Sequence, residues 1–152
     1  MSLIKINNKL PKLNGKFIKP EEKDYIIIGN TKWTINFYKT SPTHTKNEVG
    51  YYSVGEIPSS FPTGYRMPTE TDVDNLITYL NSNPDKKELF VQTYTGYFDH
   101  DVLKEYNEVF YIWFYRGSNI YGYLKITNGG TITKVRSPSV YKIEYPIRLI
   151  EN

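Results

Sequence analysis

The chain has 152 residues, the length of one ordinary domain, and a formal charge of +3. It contains no cysteine, which excludes disulfide bonds, a thiol nucleophile, thiolate zinc sites and iron–sulfur clusters. The weak net charge gives no support for a nucleic-acid partner, and no apolar run approaches the about 20 residues that a membrane-spanning helix needs.

The composition favours strands over helices. Alanine, the strongest helix former, is absent, while isoleucine and 15 tyrosines are abundant. Tyrosine suits half-buried strands and wet interfaces, because its ring packs while its hydroxyl stays solvated.

The N-terminus carries the excess positive charge. Five lysines and no acidic residue occur in residues 1–20, and the start lacks an apolar core of signal-peptide length. We predict an extended basic arm over 1–22 that either orders against a partner or stays solvated, followed by one domain over 23–152.

A hairpin opens the domain. The strands 25–28 and 32–38 alternate or run apolar, and Gly29-Asn30 between them is typical of a tight turn. The polar segment 39–49 predicts a loop in which His44 faces solvent.

One amphipathic helix follows. Thr69 and Asp72 form a capping-box pattern at its start, and the helix ends within Asn81–Pro84. Its apolar stripe has the i, i+3, i+4, i+7 spacing and comprises Val73, Leu76, Ile77 and Leu80.

The C-terminal third is rich in strands. Residues 109–115 are almost wholly apolar, which predicts a strand buried on both faces and central in a sheet, with 120–126 as its hairpin partner. Residues 89–91 suit either a strand or a buried loop, and 94–101 a loop. Further short strands are predicted at 132–135, 141–145 and 147–150. This order predicts an α+β fold.

Three segments resemble the Fibrobacter succinogenes major paralogous domain. Ile26–Trp33 (IIIGNTKW) is similar to its opening motif, Phe61–Thr69 (FPTGYRMPT) to its central signature, and Tyr145–Glu151 (YPIRLIE) to its closing strand. The resemblance implies a C-type-lectin-like fold, with a twisted antiparallel sheet, one main amphipathic helix and long irregular loops. That fold is shared with formylglycine-generating enzymes, whose activity uses cysteine and is not expected here, and with receptor-binding proteins of some phages.

The signature residues are interpreted as structural. Gly64 suits a turn, Tyr65 replaces the family's tryptophan, and Arg66 is expected to fork onto carbonyls or a carboxylate. Pro68 sets an extended entry into the helix. The full set is Trp33, Gly64, Tyr65, Arg66, Pro68, Thr69 and Arg148.

The chain shows little catalytic chemistry. It has no G-x-S-x-G, P-loop or dinucleotide motif, so we expect no enzyme and no cofactor. Asp99-His100-Asp101 is the one cluster of metal-ligand type. Calcium is a minor alternative there, with oxygens from Asp99, Asp101, Glu105 and Glu108. The other interpretations are a solvated loop or a helix that Asp101 caps.

Residues 92–108 are the predicted ligand-binding segment, because the resemblance places ligand sites on long loops. The candidates are Tyr94, Tyr97, Phe98, Asp99, His100, Asp101 and Tyr106, with Tyr51 and Tyr52 nearby. The alternative is that these rings cover the core.

The function expected from the resemblance is a non-enzymatic structural or adhesive module of a phage virion, made without a signal peptide. Its partners are expected to be other virion proteins or further copies of itself, and neither nucleic acid nor a membrane. The alternative is a carbohydrate- or receptor-binding module at a bacterial cell surface. Glycan binding lost on mutation of Tyr94 or Tyr97 distinguishes that alternative.

Overall fold

The computed structural model describes residues 25–136, 138 and 142–152, together with the backbone of 12–13 and 16–17. It contains four antiparallel sheets and two short α-helices, which confirms the predicted α+β class. Within the described residues, no helix combines the length and the apolar character needed to cross a membrane.

The secondary-structure elements follow in chain order. The strands are β1 Lys12–Leu13, β2 Lys16–Phe17, β3 Tyr25–Ile28, β4 Thr31–Phe37, β5 His44–Lys46, β6 Val49–Ser53, β7 Tyr65–Arg66, β8 Tyr97–Asp99, β9 Val102–Lys104, β10 Val109–Gly117, β11 Ile120–Thr127, β12 Ile132–Val135, β13 Ile143–Pro146 and β14 Arg148–Glu151. The helices are α1 Glu70–Ser82, between β7 and β8, and α2 Lys87–Val91.

The three motif segments meet in one sheet, ordered β3-β4-β14-β7. Trp33 lies opposite Ile26 on one side and Ile150 on the other, and Ile150 also lies opposite Arg66. The predicted hairpin around Gly29-Asn30 is confirmed, and Trp33 is 1% exposed. The last strand of the chain is therefore paired with the first hairpin of the domain.

Strand β10 separates two hydrophobic cores. Its alternate residues Phe110, Ile112 and Phe114 enter the core beneath α1, and Tyr111 and Trp113 enter the second core. Burial on both faces is confirmed, but the central position is wrong, because β10 is an edge strand of the sheet β10-β11-β12.

The free edge of β10 is satisfied by irregular backbone and a side chain. The Tyr115 amide donates to the Pro68 carbonyl at 2.8 Å, and the Tyr111 amide donates to Thr95 Oγ1 at 3.2 Å. These bonds take the place of two that a neighbouring strand would make to β10.

Helix α1 begins as its sequence predicts. The Thr69 hydroxyl accepts from the Asp72 amide, and the Asp72 carboxylate accepts from the Thr69 amide, which completes the capping box. Val73, Leu76 and Leu80 are buried in the core that β10 shares. Thr69 itself has extended backbone, the usual conformation of an N-cap residue.

Two predicted loops are hairpins. In the loop predicted over 39–49, β5 turns at Asn47-Glu48 to pair with β6, and at the end of the loop predicted over 94–101, β8 turns at His100-Asp101 to pair with β9. Both turns place two non-glycine residues at positive φ, the backbone of a two-residue hairpin turn. Neither hairpin was predicted, because glycine, the usual sequence signal, is absent from both turns.

Two other expectations also fail. Residues 89–91 lie in the helix α2 instead of a strand or loop, and Asp101 caps no helix, since β9 follows it. The basic arm 1–22 lies outside the described residues, apart from the backbone of β1 and β2, which pair with each other.

Candidate functional site

The aromatic residues predicted to bind ligand do not form one exposed surface. Tyr51 and Tyr52 are fully buried and Phe98 is 9% exposed. The Tyr51 hydroxyl donates to the Thr95 carbonyl and the Tyr52 hydroxyl to the Thr40 carbonyl. Tyr51, Tyr52 and Phe98 therefore cover the core, as the alternative interpretation held.

Tyr94 and Tyr106 are half-buried and tie elements together. The Tyr94 hydroxyl donates to Glu88 Oε1 at 2.6 Å, and burial, followed by that carboxylate, raises the pKa of Tyr94 to about 12. Asn47 Nδ2 donates to the Tyr106 hydroxyl, which links the β5–β6 turn to the segment after β9. Each hydroxyl already has a partner within the protein.

Tyr97 is one end of a continuous column of aromatic rings. Its ring lies 5.1 Å from Tyr111 and 5.5 Å from Tyr145, and Trp113 lies 4.8 Å from Tyr145. The column continues from Trp113 to Tyr121 at 6.3 Å and from Tyr121 to Tyr115 at 5.6 Å. Its far end is the exposed one, because Tyr115 is 36% exposed.

A cleft of about 370 Å³ opens at that far end. We call it the aromatic cleft; its main lining residues are Pro58, Phe61, Arg66, Met67, Tyr115 and Tyr121. Aromatic walls with a few polar groups are typical of ligand and interface sites. The cleft is lined by residues of the segment Phe61–Thr69, called the central motif here, and of the β10–β11 hairpin. None of its lining residues falls within 92–108.

Arg66, the positively charged residue that lines the cleft, is held in place by the buried carboxylate of Asp72. Arg66 Nη1 and Nη2 donate to Asp72 Oδ2 and Oδ1 at 2.5 and 3.1 Å, a bidentate pair that confirms the predicted fork. Asp72 is 8% exposed; burial alone would raise its pKa, but Arg66 and Thr69 hold that pKa below its usual value. Arg66 remains 39% exposed and so can still meet a ligand.

A second cleft of about 360 Å³ is lined in part by Tyr38, Lys39, Pro62 and Tyr65. Tyr65 is 39% exposed and lies in the short strand β7. Gly64 before it has φ of +88°, the turn conformation predicted for it. Residues of the segment Phe61–Thr69 therefore line both clefts.

Arg148, the signature residue of the closing strand, is fully buried. It donates to the carbonyls of Phe90 and Val91 at the end of α2. Its guanidinium carbon lies 4.5, 4.9 and 5.2 Å from the ring centroids of Phe37, Phe90 and Phe110. Burial lowers the pKa of Arg148 to about 9, so it stays charged at neutral pH inside an aromatic cage.

Asp101 takes part in a cluster with two residues that sequence analysis did not single out together. His44 Nδ1 lies 2.7 Å from Glu144 Oε2, and His44 Nε2 lies 3.6 Å from Asp101 Oδ1. The His44 ring is stacked on Phe98 at 4.5 Å. His44 is therefore half-buried, and the expectation of a solvent-facing side chain is wrong.

The topology assembles this acid–histidine cluster. The sheet order β5-β6-β13-β8-β9 brings β5, β13 and the β8–β9 turn to one face, so residues 100 positions apart meet. Burial is the main cause that raises the pKa of Glu144; His44 opposes it, and Asp101 and Glu56 add to it. No short motif in the sequence links these positions.

The oxygens proposed for calcium are not gathered. Asp99 contacts His100 Nδ1, and the carboxylate of Glu105 accepts from the Tyr111 hydroxyl. Across residues 25–136 and 142–152, the one group of three such side chains with ligand atoms within 4.8 Å of one another is His44, Asp101 and Glu144.

Comparisons with family models, with curated proteins and with solved structures each found no match to this chain.

Proposed function

We propose that this chain is a non-enzymatic binding module, a structural or adhesive part of a phage virion, and that it binds through the aromatic cleft. The observation that carries the proposal is the cleft itself. It exposes the end of a packed aromatic column beside an arginine that a buried aspartate orients.

The chemistry of the cleft suits a protein partner. Tyrosine and arginine are the residue types that dominate binding energy at protein interfaces, especially where neighbouring groups fix them in place. Tyr115 is backed by Tyr121, and Arg66 is held by Asp72, so little side-chain entropy is lost when a partner binds.

The family resemblance supports the virion part of the proposal. The three matching segments are far apart in the chain, yet they lie side by side in the sheet β3-β4-β14-β7. A shared structural unit gives a physical reason for the three motifs to occur together. The resemblance implies a C-type-lectin-like fold, which some phage receptor-binding proteins share.

A carbohydrate- or receptor-binding module is the second candidate. Sugar faces stack on aromatic rings, and Tyr115 and Tyr121 are accompanied by the polar side chains of Ser59, Arg66 and Asn119. This candidate uses the same cleft with a different ligand.

The two candidates are separated by binding measurements on the full chain. One arm measures association with purified virions, and mass spectrometry of the same particles asks whether the chain is a component. The other arm is a glycan array, with and without calcium. Virion association without glycan binding supports the virion module, and glycan binding alone supports the second candidate.

Variants locate the site. Tyr115→Ala is expected to weaken binding at least tenfold, as for an interface anchor. The matched control is Leu89→Ala, which removes a side chain of 50% exposure that does not line the cleft. Equal effects of the two substitutions, or no association with either ligand class, would overturn the proposal.

A further inference from the structure

We propose that His44 and Asp101 bind a divalent metal ion of the zinc class, and that Glu144 orients the His44 imidazole from its other nitrogen. The site is independent of the aromatic cleft and of the function proposed for it. It rests on the positions of three ligand-type side chains that three separate segments bring to one face of a sheet.

The distances suit a small tetrahedral ion. Zinc binds imidazole nitrogen and carboxylate oxygen at about 2.0–2.1 Å, so two ligands of a tetrahedral site are about 3.4 Å apart. His44 Nε2 and Asp101 Oδ1 are 3.6 Å apart. An ion placed between these two atoms requires only a small movement of Asp101, whose side chain is 80% exposed.

Glu144 has a position suited to a metal-bound histidine. Its Oε2 lies 2.7 Å from His44 Nδ1, the nitrogen opposite the one that faces Asp101. A carboxylate on the second nitrogen fixes the tautomer and orientation of a ligating imidazole and raises its basicity. Glu144 is 5% exposed and Phe98 is stacked on the His44 ring, so the imidazole is positioned before an ion arrives.

The charge balance at the cluster favours a cation. The carboxylates of Asp101 and Glu144 lie on opposite nitrogens of one half-buried imidazole, so two formal negative charges face His44. A divalent ion balances those charges. Imidazole is a ligand that zinc, nickel and copper prefer, whereas calcium requires six to eight oxygens. The donor set therefore favours a transition metal over calcium.

The test is calorimetric titration of the untagged full chain with zinc chloride and, separately, calcium chloride. We expect one zinc ion per chain and weaker or no calcium binding. Asp101→Asn is the principal variant, because this exposed side chain contributes nothing to the core. We expect it and His44→Gln each to weaken zinc binding at least tenfold.

His100→Gln is the matched control. The chain has two histidines, and His100 contacts Asp99 in the same turn, so this variant removes the other imidazole but leaves the cluster. We expect its zinc affinity to stay within threefold of the parent. Thermal melts of each variant identify any loss of folding, and if His44→Gln does not fold, Asp101→Asn decides.

NMR supplies a second readout. With only two imidazoles in the chain, the ring resonances of each are assigned from the His100→Gln spectrum, and zinc is expected to shift those of His44. Three results would each overturn the proposal: no zinc binding, zinc affinity unchanged in Asp101→Asn, or loss of binding in His100→Gln with the fold retained.

Discussion

The Asp72→Asn substitution weakens the charged contact that joins the segment Phe61–Thr69 to the start of helix α1. The Asp72 carboxylate accepts from two Arg66 nitrogens and from the amide and hydroxyl of Thr69, so it joins the cleft to the helix start. Asparagine has nearly the same shape but loses the charge and one acceptor oxygen.

The magnitude follows from the hydrogen bonds that asparagine cannot make. Charge-assisted hydrogen bonds contribute about 1.5–3 kcal/mol, and the exposure of Arg66 places this pair at the low end of that range. Weakening the helix cap costs about 1 kcal/mol more. We therefore expect Asp72→Asn to lower the free energy of unfolding by about 2–3 kcal/mol, or about 5–10 °C in melting temperature.

The assay is urea denaturation of a double-mutant cycle with Arg66→Gln. The pair is expected to couple by about 1–2 kcal/mol, since each substitution removes the same bidentate contact. A cost below about 0.5 kcal/mol for Asp72→Asn would refute the reasoning, as this is within the effect of an ordinary surface change. Strictly additive effects of the two substitutions would show that Asp72 does not orient Arg66.

Three further predictions concern stability and are checked by urea or thermal unfolding. Hydrogen bonds from Lys134 and Arg116 hold the pKa of Glu70 at about 2, so the contribution of Glu70 to folding stability is complete above the ordinary carboxyl pKa and is lost as pH falls toward 2. Glu70→Gln should therefore flatten the loss of stability below about pH 5, and an unchanged pH profile would contradict this. Gly96→Ala should lower the free energy of unfolding by more than about 2 kcal/mol, because φ is +60° and a Cβ there would lie 2.8 Å from the Tyr106 nitrogen. Gly29→Ala has the same φ but open space around the Cβ, so it should cost only about 1–2 kcal/mol, and equal costs would refute the steric argument. Arg148→Met should destabilise by about 2–4 kcal/mol, because the Phe90 and Val91 carbonyls lose their buried donor; a variant as stable as the parent would show that desolvation of the charge cancels those bonds.

Local chemistry made part of the fold predictable. The Gly29-Asn30 hairpin, the Thr69–Asp72 cap and the apolar run at 109–115 each depend on neighbouring residues, and each element formed as expected. The edge position of β10 depends on what lies beside it, the Pro68 carbonyl, and no local pattern predicts that neighbour.

The candidate sites were harder to predict because they depend on the topology. Aromatic residues at 94–98 resemble a binding loop, but Phe98 is buried, because its strand β8 pairs with β13. His44 and Glu144 meet because their strands share a sheet, with β6 between them. Arg66 was predicted to bind carbonyls or a carboxylate, and its partner Asp72 is only six residues away in the chain.

Photocrosslinking from a single position tests the central claim, that the aromatic cleft is the binding surface. A photoreactive phenylalanine analogue replaces Tyr115 in one variant and Val102 in another; Val102 is 55% exposed and lies in the segment that the sequence favoured. After irradiation with intact virions, we predict a discrete crosslinked product from position 115 and none from position 102. A product from position 102 alone would contradict the account.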